Sequence, residues 1–147
     1  MQIHWLTPKE TLKALGVGVL TAVLLSAVMV PAFKLGIAPM PKPPSLAFAQ
    51  VLLGPNVPLA VGLLFHVAYV TFWGLVYVML FRDHLTFLNA LWLGLALWVV
   101  VLVFFFPVVG WGFLGLGIGP KLIPASLVPH LLFAVFLWGL CRLGFKK

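Results

Sequence analysis

The sequence predicts an all-α protein, an integral membrane four-helix bundle. Three observations carry the prediction. Four apolar stretches each reach the length of a bilayer crossing. Hydrophobic residues make up 64% of the chain and charged residues 7%, against roughly a quarter charged in soluble domains. Two acids and nine bases cannot cover a water-facing surface, so most side chains must face lipid. The 147 residues form a single transmembrane domain.

A hydrocarbon core about 30 Å thick takes about 20 helical residues at a rise of about 1.5 Å each. The first stretch runs from about Thr11 to Val30, and Pro31 is expected to close it. Its basic start, Lys9 and Lys13, has the look of a signal peptide, and Ala47-Phe48-Ala49 has the form of a cleavage site. That tripeptide lies well past a stretch of full spanning length, so the first span is expected to be retained.

A long loop follows, from about Pro31 to Asn56, punctuated by Pro39, Pro41, Pro43, Pro44 and Pro55. Within it, Ser45 to Leu53 is apolar but too short to span. Ser45 can serve as an N-cap and Gly54-Pro55 as a stop. The expectation is a short interfacial helix in this first outer loop. The second span runs from about Val57 to Phe81. Arg82-Asp83-His84-Leu85 is a tight turn, which should make the second and third spans antiparallel neighbours. The third span runs from about Thr86 to Phe106, closed by Pro107. The loop from Val108 to Ile123 is rich in glycine and holds Trp111, expected to anchor at the interface. The fourth span runs from about Pro124 to Leu143.

Four spans put both termini on one side. That side holds Lys9, Lys13, Arg82, Arg142, Lys146 and Lys147; the other holds Lys34, Lys42 and Lys121. The bias favours cytoplasmic termini. The net charge of +7 does not point to nucleic acid, because the bases punctuate span ends instead of forming a run or a patch.

The spans contain no Asp or Glu, which argues against ion-coupled transport. No glycine-rich phosphate loop, G-x-S-x-G or carboxylate pair is present, so the reading leans away from an enzyme. The single cysteine, Cys141, excludes an internal disulfide. It lies about 16 Å along the helix from His130, too far for a Cys–His pair. His4 and His84 are expected in water, at a spacing that fits no zinc motif.

His66 and His130 carry what chemistry there is. They lie roughly 14 Å and 9 Å below the outer ends of two parallel spans, and so at comparable depth. Gly62, Tyr69, Trp73 and Tyr77 share the face of His66 at helical spacing; Ser126, Ala134 and Cys141 share that of His130. Two imidazoles from two helices would supply both axial ligands of haem b, with Gly62, Tyr69, Trp73, Ser126 and Ala134 around it. Equally, each ring would satisfy a backbone carbonyl or a tyrosine hydroxyl, or hold a quinone or lipid headgroup. The pattern leaves the cofactor unknown.

Ala14, Gly18, Ala22 and Ser26 form a stripe of small residues at four-residue spacing on the first span. Such a stripe lets another helix approach closely, either within the bundle or from a second copy; contact within the bundle is the preferred reading. Ala90 and Gly94 form a shorter version. The two halves echo one another: Leu35-Gly36-Ile37-Ala38-Pro39 matches Leu116-Gly117-Ile118-Gly119-Pro120, and His66-x-x-Tyr69-x-x-Phe72 matches His130-x-x-Phe133-x-x-Phe136. A two-helix internal duplication would relate the halves as parallel repeats.

Gly62-Leu63-Leu64-Phe65-His66 followed by Trp73-Gly74-Leu75-Val76-Tyr77, the span ending at Pro107, and His130 with Trp138-Gly139-Leu140 resemble small bacterial membrane proteins of the YagU-like kind, whose function is unknown. The likeness covers about residues 40 to 143. It implies a four-helix protein of the bacterial cytoplasmic (inner) membrane with two histidines in equivalent places. The expected function is non-enzymatic: a scaffold or accessory subunit, with other membrane subunits or itself as partner besides the lipid bilayer. The alternatives are an electron-transfer subunit holding haem b between His66 and His130, and a passive pore or a lipid- or quinone-binding protein.

Overall fold

Thr7-Pro8-Lys9-Glu10 starts the first helix. In the computed structural model, which describes residues 5–145, the Glu10 N–H donates to Thr7 Oγ1 at 3.3 Å and the Thr7 N–H donates to the Glu10 carboxylate at 3.0 Å. Pro8 occupies the first turn, where its missing N–H is no loss. The residues His4, Lys146 and Lys147 used in the sequence reading lie outside the described residues.

Helix α1 runs Pro8–Lys34, through the proline expected to close it. Pro31 is exposed and one turn from the end, where the loss of its N–H costs one hydrogen bond and no more. The Leu35 N–H then donates to the Pro31 carbonyl at 2.9 Å. Helix α2 runs Pro44–Leu53 and is capped at its end by Gly54. Ser45 is not its N-cap; Pro43 holds that position without a side-chain hydrogen bond, because Pro44 already presets the helical turn. Helix α3 runs Leu59–Phe81.

Helix α4 spans Phe87–Val108, again past its expected proline stop. Its segment Val101–Phe105 is a π-helix, and the Phe106 N–H donates to the Val101 carbonyl five residues back. The widened turn lies directly before Pro107, which has no N–H to give the ordinary ladder. After a short 3₁₀ turn, Phe113–Gly115, helix α5 runs Leu122–Gly144 with Pro124 in its first turn. Four of these helices are long and apolar enough to cross a membrane.

The helices pair as α1 with α3 and α4 with α5, and α1 packs on α5 to join the pairs. Helices α3 and α4, although linked by the tight turn, pack only sparsely on each other. This corrects the expectation drawn from the short turn. A turn fixes where two helices meet, whereas close backbone approach needs small residues on facing sides, and those face elsewhere.

On α1, a Cβ at Gly18 would lie 2.7 Å from Thr71 Cα, and one at Gly74 3.1 Å from Gly18 Cα. On α4, a Cβ at Gly94 would lie 2.8 Å from the His130 carbonyl and 3.6 Å from Ala134 Cβ. The small-residue stripe is therefore spent inside the bundle: Ala14, Gly18 and Ala22 are buried, and Ser26 is half-buried farther along. Each half of the chain is thus one antiparallel pair closed by a glycine on its first spanning helix.

The end that carries both termini, the terminal side, is tied across helices. Arg82 Nε and Nη2 each lie 2.8 Å from Glu10 Oε1. Lys13 Nζ donates to the Gly144 carbonyl at 3.2 Å, and the Arg82 guanidinium lies over the Phe145 ring at 5.0 Å. Tyr77, fully buried, donates its hydroxyl to the Thr86 carbonyl at 2.8 Å and so pins the α3–α4 turn. On the opposite, loop side, Trp111 is buried against Phe106 with ring centroids 5.3 Å apart. It is a packing residue there and not the expected interface anchor, because Met40, Leu102 and Leu122 close a second small core over it.

Candidate functional site

The sparse contact between α3 and α4 leaves room on the loop side. A cavity of about 230 Å³ lies there, and both intramembrane histidines, His66 and His130, border it. Leu25, Ser26, Met29 and Val30 of α1 form one wall; Tyr69, Val70 and Trp73 of α3 form the next. Val101 and Phe105, the first and last residues of the π-helix, face them from α4. Met40, Pro43, Pro44, Ser45 and Phe48 cover the loop end.

The short helix α2 is what shapes that cover. It seats on α3 where Gly62 has no side chain: a Cβ there would meet Leu46 Cα at 2.7 Å. Gln50 holds the seat, accepting from Lys42 Nζ at 2.7 Å and donating to the Val57 carbonyl at 3.2 Å. Phe48 then reaches between α3 and α4, with its ring 6.2 Å from Phe65 and 5.1 Å from Phe105. Phe105 also meets Tyr69 edge to face at 5.6 Å. Such edge-on aromatic contacts favour a fixed geometry.

Beneath the cavity the bundle is filled. Tyr77, Val78, Ala90, Leu137 and Cys141 are all at 0% exposure. The space is therefore closed toward the terminal side.

Of the residues singled out from sequence, His66, Tyr69, Trp73, Ser126 and His130 border the cavity. Gly62 and Ala134 do not. Gly62 is the seat of α2, and Ala134 packs against Gly94 of α4. Both are small because a helix backbone crosses them, not because a ligand needs room. The Ser126 hydroxyl is already engaged: it donates to the Ile123 carbonyl at 3.0 Å and accepts from Trp98 Nε1 at 3.0 Å.

The two imidazoles differ in their bonding. His130 Nδ1 lies 2.7 Å from the Ser126 carbonyl. The His66 ring interacts with the Ala22 carbonyl, yet its Nε2 is sealed from solvent and completes no hydrogen bond. The Tyr69 hydroxyl is likewise sealed without a partner. An unpartnered buried hydroxyl costs about 1–3 kcal/mol relative to a bonded one.

A bis-imidazole haem needs both axial nitrogens aimed at one iron from opposite faces of a flat macrocycle. The cavity, at about 230 Å³, is too small to enclose a flat porphyrin macrocycle. His66 Nε2 is also closed off from it. The residues here do not fit haem b. Nor do three His, Cys, Asp or Glu side chains come together among the described residues in a way that could hold a metal ion.

Sequence reasoning missed the π-helix and the aromatic bridge from Phe48 to Phe105. No local signal marks a π turn beyond the nearby Pro107. The role of Phe48 depends on how α2 docks, which only the tertiary structure reveals. No protein-family model matches the chain, and neither a curated protein nor a solved structure does.

Proposed function

We propose that this polytopic membrane protein binds a small lipidic amphiphile in the loop-side cavity. The observation that carries the reading is the pocket itself: apolar and aromatic walls, a packed floor, and two intramembrane histidines on one space. Ligand pockets are apolar concavities with a few polar groups that orient the occupant. The floor also disfavours a passive pore, which needs a continuous path. The small-residue stripe that would have served as the seam with a second copy is taken up within the bundle, where Gly18 meets Thr71 of α3. By the distribution of basic residues, the termini face the cytoplasm and the ligand comes from the outer leaflet. The YagU-like resemblance would place the protein in a bacterial inner membrane.

The test is thermal unfolding of the protein in lipid nanodiscs with added decyl-chain amphiphiles. A ligand that binds only the folded state raises the unfolding midpoint with concentration. The expected result is a rise in wild type that Ser26→Phe, which fills the cavity from α1, suppresses. If no decyl amphiphile shifts wild type more than Ser26→Phe, the reading is wrong.

A further inference from the structure

The bonding of His130 says what the occupant must carry. Its Nδ1 faces a backbone carbonyl at 2.7 Å. A carbonyl oxygen can only accept, so Nδ1 must hold the proton. In a neutral imidazole the other nitrogen, Nε2, is then a lone-pair acceptor. Nε2 has no hydrogen-bond partner among the described residues, and it is not one of the sealed polar atoms. The ring borders the cavity, and its free acceptor is open to an occupant that reaches it.

The cavity lining contains no Lys, Arg, Asp or Glu. An anionic head would stand unpaired in a low-dielectric space, at several kcal/mol. A head that offers only acceptors, such as an ester or a ketone, could take a hydrogen bond from the Ser26 or Ser45 hydroxyl in the lining but would leave Nε2 unpartnered. We infer that the cavity selects an amphiphile with a neutral head bearing a hydroxyl, which donates to His130 Nε2. This inference rests on the cavity being a ligand site. Phe48, Tyr69, Trp73 and Phe105 around it suit a flat aromatic head, so a phenol or hydroquinone should bind better than an aliphatic alcohol of equal chain length.

Two matched pairs of probes test this, each exchanging the hydroxyl hydrogen for a methyl: 4-decylphenol with 4-decylanisole, and 1-decanol with its methyl ether. Binding is read by tryptophan fluorescence of the protein in nanodiscs. Each alcohol should bind about tenfold tighter than its ether, the loss expected for one hydrogen bond to a buried acceptor. The phenol should exceed the aliphatic alcohol. In His130→Leu the alcohol and ether should become equal. Nitrogen NMR of the histidine-labelled wild type gives a reading independent of any variant: Nε2 of His130 should be unprotonated, and its resonance should move with decylphenol and not with decylanisole. Alcohol and ether of equal affinity in wild type would refute the donor requirement while leaving the pocket reading intact; so would a neutral ring protonated at Nε2. Failure of all four probes to bind would instead remove the pocket reading itself.

Discussion

Gly18 and Thr71 bring α1 and α3 together backbone against backbone, with no room for even one added carbon: a Cβ at Gly18 would lie 2.7 Å from Thr71 Cα. Without a hydrophobic force between helices in lipid, such close approach is what holds a pair together.

Gly18→Leu should therefore separate the α1–α3 pair. The expected loss is about 3 kcal/mol or more, beyond ordinary overpacking because backbone blocks the new side chain. Gly16, two positions earlier, has nothing within 4 Å of its would-be Cβ. Gly16→Ala should leave stability within about 0.5 kcal/mol of wild type. Unfolding in mild detergent compares the two; equal behaviour would show that the seam does not matter.

Gly62→Leu should dislodge α2 and leave the rest standing. The new side chain would strike Leu46 Cα, 2.7 Å from its Cβ, and Phe48 would leave its place between Phe65 and Phe105. Limited proteolysis should cut near Gly54 faster than in wild type, and ligand stabilisation should fall while helix content by circular dichroism stays the same.

Tyr77→Phe removes the hydroxyl that reaches the Thr86 carbonyl at 2.8 Å. The expected loss is about 1 kcal/mol, the worth of one such hydrogen bond. Hydrogen exchange should quicken at the start of α4, where Ala90 and its neighbours form the first turns, and not at α2.

Glu10→Gln weakens the pairing with Arg82 on the terminal side. The pair is partly exposed, at 24% and 26% for the two side chains, so the wild-type advantage in melting temperature should shrink as salt is added. An advantage that survives high salt would assign the contact to hydrogen bonding alone.

The long apolar runs made the four spans legible, because bilayer thickness fixes their length whatever they pack against. Their ends were less so. The start of α1, expected at about Thr11, lies at Pro8, because the cap formed by Thr7 and Glu10 begins the helix ahead of the apolar run. Pro31 and Pro107 misled in the other direction: a proline removes one hydrogen bond, and near a helix end, or behind a π turn, the helix absorbs that loss. His66 and His130 could be placed at one depth from the helical rise alone. Their different bonding could not, since the Ser126 carbonyl reaches His130 through local helix geometry, while the sealing of His66 depends on its packing within the bundle. Gly62 and Ala134 looked like pocket residues because smallness alone does not say whether a ligand or a backbone needs the room.

The ties on the terminal side have a mechanical consequence. Glu10, Arg82, Lys13 and the α5 terminus at Gly144 and Phe145 rivet α1, α3 and α5 at that end, and Tyr77 fastens the root of α4 to α3. The bundle is thus fastened at one end and thin at the other: between α3 and α4 the loop side is spanned by the ring of Phe48 from α2 against Phe105, 5.1 Å between centroids, so the seal over the cavity rests on a side-chain contact and not on helix packing.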